Sequence, residues 1–311
     1  MPLHIATPLL HSPSLSRACG RAVWLKVEAV QPCGSFKMRG IGHACEAGAA
    51  SGALRFVSSS GGNAGLAVAH CGRLLGLPVT VVVPTSTGDR AKALIAEQGA
   101  EVVVRGASWA EADAHLRGLL GPGDAYIHPF DDPLLWTGHA TLVDEIAAAG
   151  LRPGAVVLSV GGGGLMCGAI EGLRRNGWDD VAVLAVETRG ADSLARSLSA
   201  GERIVLPAID SIATSLGARQ VSQRAFDEAR GRHPVRSVVV TDAEAVDGCL
   251  ALAREHRLIV EPACGASMVP AMRDDAALGD AETVVVVACG GVSATYEQLR
   301  SWQAGLPRSA A

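Results

Sequence analysis

Several short runs in this chain of 311 residues are apolar at nearly every position, among them Val79-Thr80-Val81-Val82-Val83 and the stretches 155–160, 181–186 and 283–288. A strand of that kind offers no polar face to water, so both of its faces must be covered. Longer alanine- and leucine-rich segments with helical spacing lie between the runs. Alternation of the two predicts an α/β fold: mainly parallel, open twisted sheets flanked by helices. Further strands are expected at 22–27, 54–57, 101–104 and 237–240, and helices from Ser35 onward, over 64–75 and over 89–98. The segment 121–133 reads as loop, and the tail from Pro307 to Ala311 as frayed.

Composition narrows the function. A net charge of -4 with 19% charged residues leaves no basic excess to neutralise phosphates, so neither nucleic acid nor an anionic membrane is expected as a partner. The longest uncharged apolar stretch, 155–170, is short for a membrane span and contains five glycines. The start, Met1-Pro2-Leu3-His4, lacks the pattern of a signal peptide. Eight cysteines without a C-x-x-C pair, spread through apolar segments, suit buried thiols in a reducing compartment. A soluble cytoplasmic protein is expected.

Four constellations carry possible chemistry. In Gly34-Ser35-Phe36-Lys37-Met38-Arg39-Gly40 a lysine sits between two large apolar side chains at a helix start. Desolvation there would lower its charge and make its amine a nucleophile; the alternative is a lysine that reaches out to the surface. Ser58-Ser59-Ser60-Gly61-Gly62-Asn63-Ala64-Gly65 joins a strand to a helix, where small residues and free N–H groups suit a carboxylate; a plain capped turn is the alternative. Ser159-Val160-Gly161-Gly162-Gly163-Gly164-Leu165 has the same placement and suits a phosphate. Cys289 ends an apolar strand before Gly290-Gly291, and a core thiol is its plainest reading.

The tetraglycine loop with Glu187 at the next strand end invites a dinucleotide reading. Spacing opposes it: with the first glycine of G-x-G-x-x-G at Gly161 or Gly162, the third falls on Met166 or Cys167. A Ser/His/Asp hydrolase lacks its G-x-S-x-G elbow, and His43, His70, His128 and His139 read as packing or surface residues.

Taken in order, these segments resemble the serine/threonine dehydratase group of fold-type-II pyridoxal-phosphate (PLP) enzymes. The likeness runs from Thr7-Pro8-Leu9 to Cys289-Gly290-Gly291 and includes Pro129-Phe130-Asp131-Asp132-Pro133 and Glu261-Pro262-Ala263-Cys264-Gly265-Ala266. It is greatest to the short liver-type L-serine dehydratases, which carry a cysteine at the position of Cys289. The resemblance implies that Lys37 holds PLP as a Schiff base, with Phe36 beside the ring and Asn63 on its 3′-oxygen. Gly161, Gly162, Gly163, Gly164 and Leu165 would hold the phosphate, and Cys289 would face the pyridine nitrogen. Ser60, Gly61, Asn63 and Ala64 would receive the substrate carboxylate. A monovalent cation, usually potassium, would lie at Glu187, Ala191, Ser193, Leu216 and Ala218.

The reaction so implied is β-elimination from L-serine, and from L-threonine, giving pyruvate or 2-oxobutanoate plus ammonia, with the Lys37 amine as base. Serine racemisation, β-replacement and a non-catalytic amino-acid-binding homologue are the alternatives; Ala64 departs from the threonine usual in β-replacement enzymes. Gly61 stands where some members have alanine, a loss expected to widen the substrate floor. Two domains are expected, a small substrate-side one over 40–130 and a large PLP-binding one combining 1–39 with 131–311, with the cofactor between them. The family likeness also implies a homodimer.

Overall fold

The computed structural model describes residues 1–307. The tail expected to fray lies outside them beyond Pro307.

Among the described residues, ten strands form two sheets. They are β1 (Leu9–His11), β2 (Ala22–Val27), β3 (Arg55–Ser58), β4 (Val79–Val83), β5 (Glu101–Val104), β6 (Asp124–Tyr126), β7 (Ala155–Ser159), β8 (Ala182–Thr188), β9 (Val235–Val240) and β10 (Thr283–Ala288). The larger sheet has the order β1-β2-β10-β7-β8-β9 and the smaller β5-β4-β3-β6. Every pairing is parallel except that of β1 with β2.

The expected all-apolar strands are the central ones. In the larger sheet, Val156, Val157, Val284, Val285, Val286 and Val287 are fully buried, because helices cover both faces. Register is pinned at the centre, where β10 sets Val285 opposite Trp24 of β2 and opposite Val156 of β7. Parallel pairing places the carboxyl ends of these strands along one edge, and the loops that leave that edge build the site.

Two helices lie back to back beside it. Pro133–Ala148 begins on an Asp132 cap with proline in its first turn, and Gly164–Arg175 follows the tetraglycine loop. They approach closely because Gly168 and Gly172 carry no side chain; a Cβ on Gly168 would fall 2.4 Å from the His139 Cβ. Among the described residues no helix is long and apolar enough to cross a membrane. All eight cysteines are buried free thiols.

Candidate active site

Lys37 opens the helix Lys37–Ala50, and two attachments fix where it points. The segment before it pairs with the chain after β10: the Phe36 amide donates to the Cys289 carbonyl (3.0 Å), and the Gly291 amide to the Gly34 carbonyl (2.8 Å). Behind it, Arg39 is fully buried between Glu28 (2.7 Å) and Glu145 (2.7 Å), with Lys26 also on Glu145. Removing Arg39 would leave Glu28 buried without a cation, at a cost of about 3–5 kcal/mol, so the helix start is tied firmly to Glu28 after β2 and to Pro133–Ala148.

The Lys37 amine donates to the Pro129 carbonyl and lies 5.1 Å from the centre of the Phe36 ring. Lys37 retains some surface, yet protein crowds its ammonium closely enough to desolvate it. Desolvation lowers its pKa to about 8, against the opposing pull of Cys289 and Glu261. Of the two sequence readings, this crowding supports the desolvated amine. Against Phe36 packs His139, fully buried, its ring centre 5.0 Å away and neither nitrogen partnered among the described residues. Burial first, then Lys37 and Arg39, holds that imidazole neutral.

The tetraglycine loop turns from β7 into Gly164–Arg175 with Gly163 left-handed at φ 92°. A side chain on Gly162 would meet the Phe130 ring at 2.2 Å, and one on Gly164 the Phe130 carbonyl at 2.5 Å. Among the described residues, no group accepts a hydrogen bond from the N–H of Gly161, Gly162, Gly163, Gly164, Leu165 or Met166. Clustered free donors at a helix N-terminus make an anion cradle, so these residues fit a phosphate.

The serine-glycine-asparagine turn has the same form. Asn63 and Ala64 begin the helix Asn63–Leu75, and their N–H groups, with that of Gly61, likewise find no acceptor among the described residues. The Ser60 hydroxyl accepts from the Gly62 amide at 3.3 Å. Ser59 is anchored to buried Asp113 (2.6 Å), which also accepts from Tyr126 (2.6 Å) and Arg117 (2.7 Å). The expectation that Gly61 widens the substrate floor needs amending: a Cβ there would point into Thr87, 2.6 Å from both its Oγ1 and Cγ2. Thr87 already occupies the room that the missing methyl leaves.

Cys289 is buried beside Cys264, whose hydrogen bond, followed by desolvation, pushes the Cys289 thiol well above its ordinary range. It is a neutral thiol. Glu187, at the end of β8, is fully buried and accepts from the amides of Leu194 (2.8 Å) and Ala195 (2.7 Å). Burial raises its pKa to about 8 despite those two bonds. The Ser193 hydroxyl is buried with no partner among the described residues. Ala191 and Leu216 share one small apolar cluster, and the Leu216 carbonyl accepts from the Ala218 amide at 2.8 Å. A buried carboxyl group and an orphaned hydroxyl suit a cation, although among the described residues no group of three or more His, Cys, Asp or Glu side chains could hold a metal ion.

One residue of the site was quoted in the sequence only as part of a segment and given no role. Glu261 is buried and accepts from Asn63 Nδ2 (2.8 Å) and from the amide (3.2 Å) and hydroxyl (2.5 Å) of Ser293. An acid between the apolar run Leu258-Ile259-Val260 and Pro262 was the available signal, the same one that marked Glu187.

Comparison with known proteins agrees with this geometry. The family model described as "Pyridoxal-phosphate dependent enzyme" matches residues 1–290. The chain is 42% identical over 310 residues to a mouse protein named L-serine dehydratase/L-threonine deaminase, covering 96% of this chain and 94% of the relative. It is 43% identical over 311 residues to the human protein named serine dehydratase-like, with the same coverage of 96% and 94%. Among solved structures, an L-serine ammonia-lyase of the fungus Rhizomucor miehei superposes with a TM-score of 0.90 at 35% identity, covering 98% of this chain and 99% of that one.

Proposed function

Since the chain belongs to the pyridoxal-phosphate-dependent enzymes, we propose that it is an ammonia-lyase acting on L-serine, and on L-threonine, yielding pyruvate or 2-oxobutanoate and ammonia. The observation that carries this is the desolvated Lys37 amine, bound to the Pro129 carbonyl next to the Phe130 that packs on the tetraglycine loop with its free N–H groups.

Bound PLP supplies an electron sink for the pair left at the substrate α-carbon. The chain supplies the rest. The N–H groups of Gly161, Gly162, Gly163, Gly164 and Leu165 hold the cofactor phosphate, and Phe36 packs beside its ring. Asn63 donates to the ring oxygen, and Cys289 meets the pyridine nitrogen as a neutral thiol. Ser60, Gly61, Asn63 and Ala64 bind the substrate carboxylate and so fix which bonds face Lys37. The Lys37 nitrogen, neutral for a useful fraction of time near pH 8, takes the α-proton. His139 adds no charge beside it, because that imidazole stays unprotonated.

The same reading assigns potassium to Glu187, Ala191, Ser193, Leu216 and Ala218, supported by the orphaned Ser193 hydroxyl. It divides the chain into a small domain over 40–130 and a large one over 1–39 and 131–311, the two sheets lying one in each. A cytoplasmic homodimer belongs to the same reading, supported by the eight free thiols for the compartment and by family likeness for the assembly.

Borohydride reduction of PLP-saturated protein followed by peptide mapping tests it. The label is expected on Lys37 and absent from Lys37→Ala, together with loss of keto-acid release from L-serine. A label on another lysine, or undiminished turnover by Lys37→Ala, would falsify the assignment.

A further inference from the structure

Asn63 is held at both ends of its amide. Its Nδ2 donates to Glu261 Oε1 at 2.8 Å, and its Oδ1 accepts from the Val292 amide at 3.2 Å. Only one orientation of the side chain satisfies both partners, so the amide cannot be reversed without facing N–H against N–H and oxygen against carboxylate. A primary amide has two N–H donors, and Glu261 takes one. The other is left, its nearest acceptor being the Ser215 hydroxyl at 3.5 Å, the outer limit of a hydrogen bond.

Glu261 is itself fixed. Ser293 occupies its Oε2 through both amide and hydroxyl, at 3.2 and 2.5 Å. The backbone makes room for it at Gly291, where φ is 108° and a Cβ would sit 2.0 Å from the Glu261 carboxyl carbon. A buried carboxylate of this kind, with no cationic partner in hydrogen-bond contact among the described residues, is costly to keep unless its acceptors are used. Here one of them is used on Asn63.

We propose that Glu261 is a positioning residue for the cofactor, holding the Asn63 amide so that its remaining N–H faces the ligand's ring oxygen. This rests on the PLP reading above. It deepens that reading by adding a residue that touches neither substrate nor cofactor and acts through Asn63.

The test is a double-mutant cycle read by PLP affinity, titrating cofactor into resolved protein, alongside keto-acid release. Glu261→Ala is expected to weaken PLP binding about tenfold, the scale of one lost hydrogen bond to a charged group. Asn63→Ala is expected to weaken it comparably, and the double variant no more than Asn63→Ala alone. Glu261→Gln can offer its one oxygen to Asn63 only by turning its NH2 towards the Ser293 amide, so it is expected to recover affinity in part, to a value between Glu261→Ala and the parent. Should Glu261→Ala fail to fold, Glu261→Asp replaces it, since the shorter side chain withdraws from Asn63 while keeping the charge. Wild-type affinity in Glu261→Ala or Glu261→Asp, or losses that add in the double variant, would overturn the role. Borohydride labelling of Lys37 in the same preparations separates the two failures. An unlabelled Lys37 in the parent protein defeats the PLP reading, whereas a labelled Lys37 with additive losses defeats only the role of Glu261.

Discussion

The Phe36 amide donates to the Cys289 carbonyl at 3.0 Å, which locks the residue before Lys37 to the residue that follows β10. Lysine and thiol thus share one register, and neither can shift without the other. The electrostatic partner at Cys289 is consequently set by chemistry rather than by position.

Cys289 is neutral, and replacing it with aspartate would place a buried anion among Cys264, Cys249 and Glu261. An aspartate favours a protonated pyridine nitrogen and so a stronger electron sink. For Cys289→Asp we expect a larger share of turnovers ending in transamination, with slower elimination. The ratio of pyridoxamine phosphate to keto acid measures it, and an unchanged ratio would remove Cys289 from that role.

The Lys37 amine gives a pH prediction. Its pKa is depressed to about 8 by desolvation, so the neutral, nucleophilic form grows as pH rises through about 8. An ordinary lysine does so only near pH 10.4. The rate at which cofactor-free protein captures pyridoxal should therefore climb with a midpoint near pH 8. A midpoint at the ordinary lysine value would mean that the amine is solvated in solution.

Much of this arrangement was legible in the sequence because of burial. Strands such as β4, β7, β8 and β10 stand between covering helices, and their apolar runs announce that directly. Two strands were not foreseen. β1 lies at a sheet edge with exposed residues, and β6 is three half-buried residues, Asp124–Tyr126, inside the stretch read as loop. Neither is long or apolar enough to leave a pattern. The tetraglycine and asparagine turns were readable because a helix start with small residues is a local feature. The Asn63–Glu261 bond was not, since it joins residues 198 positions apart. The occupation of Gly61's free space by Thr87 has the same cause.

The orphaned hydroxyl of Ser193, the residue before the Leu194 whose amide Glu187 accepts, predicts a response to salt identity. A cation bound only by the folded protein stabilises it by RT ln(1 + [L]/Kd), about 1.4 kcal/mol at tenfold the dissociation constant. Potassium should raise the melting temperature by a few degrees over tetramethylammonium at equal ionic strength, and Ser193→Ala should reduce that gain. Identical melting in the two salts would leave Glu187 as a cap on the helix Ser193–Ala200 and nothing more.

The contact between Gly61 and Thr87 sets the last prediction. A methyl added at Gly61 would lie 2.6 Å from both branches of Thr87 and 3.2 Å from its Cβ. Forcing that overlap costs about 1–3 kcal/mol unless the neighbour moves. The carboxylate turn carries Gly61 two residues before Asn63, so the strain passes to the groups assigned to the substrate. Gly61→Ala alone should raise KM for L-serine several-fold while lowering stability. Removing both branches in Gly61→Ala/Thr87→Ala leaves only the 3.2 Å contact, which a few tenths of an ångström relieves. The pair should therefore recover KM and stability towards the parent values, and Thr87→Ala alone should not improve either. Steady-state kinetics and thermal melts of the three variants decide it: if the double variant is as impaired as the sum of the singles, the two positions are not coupled through this contact.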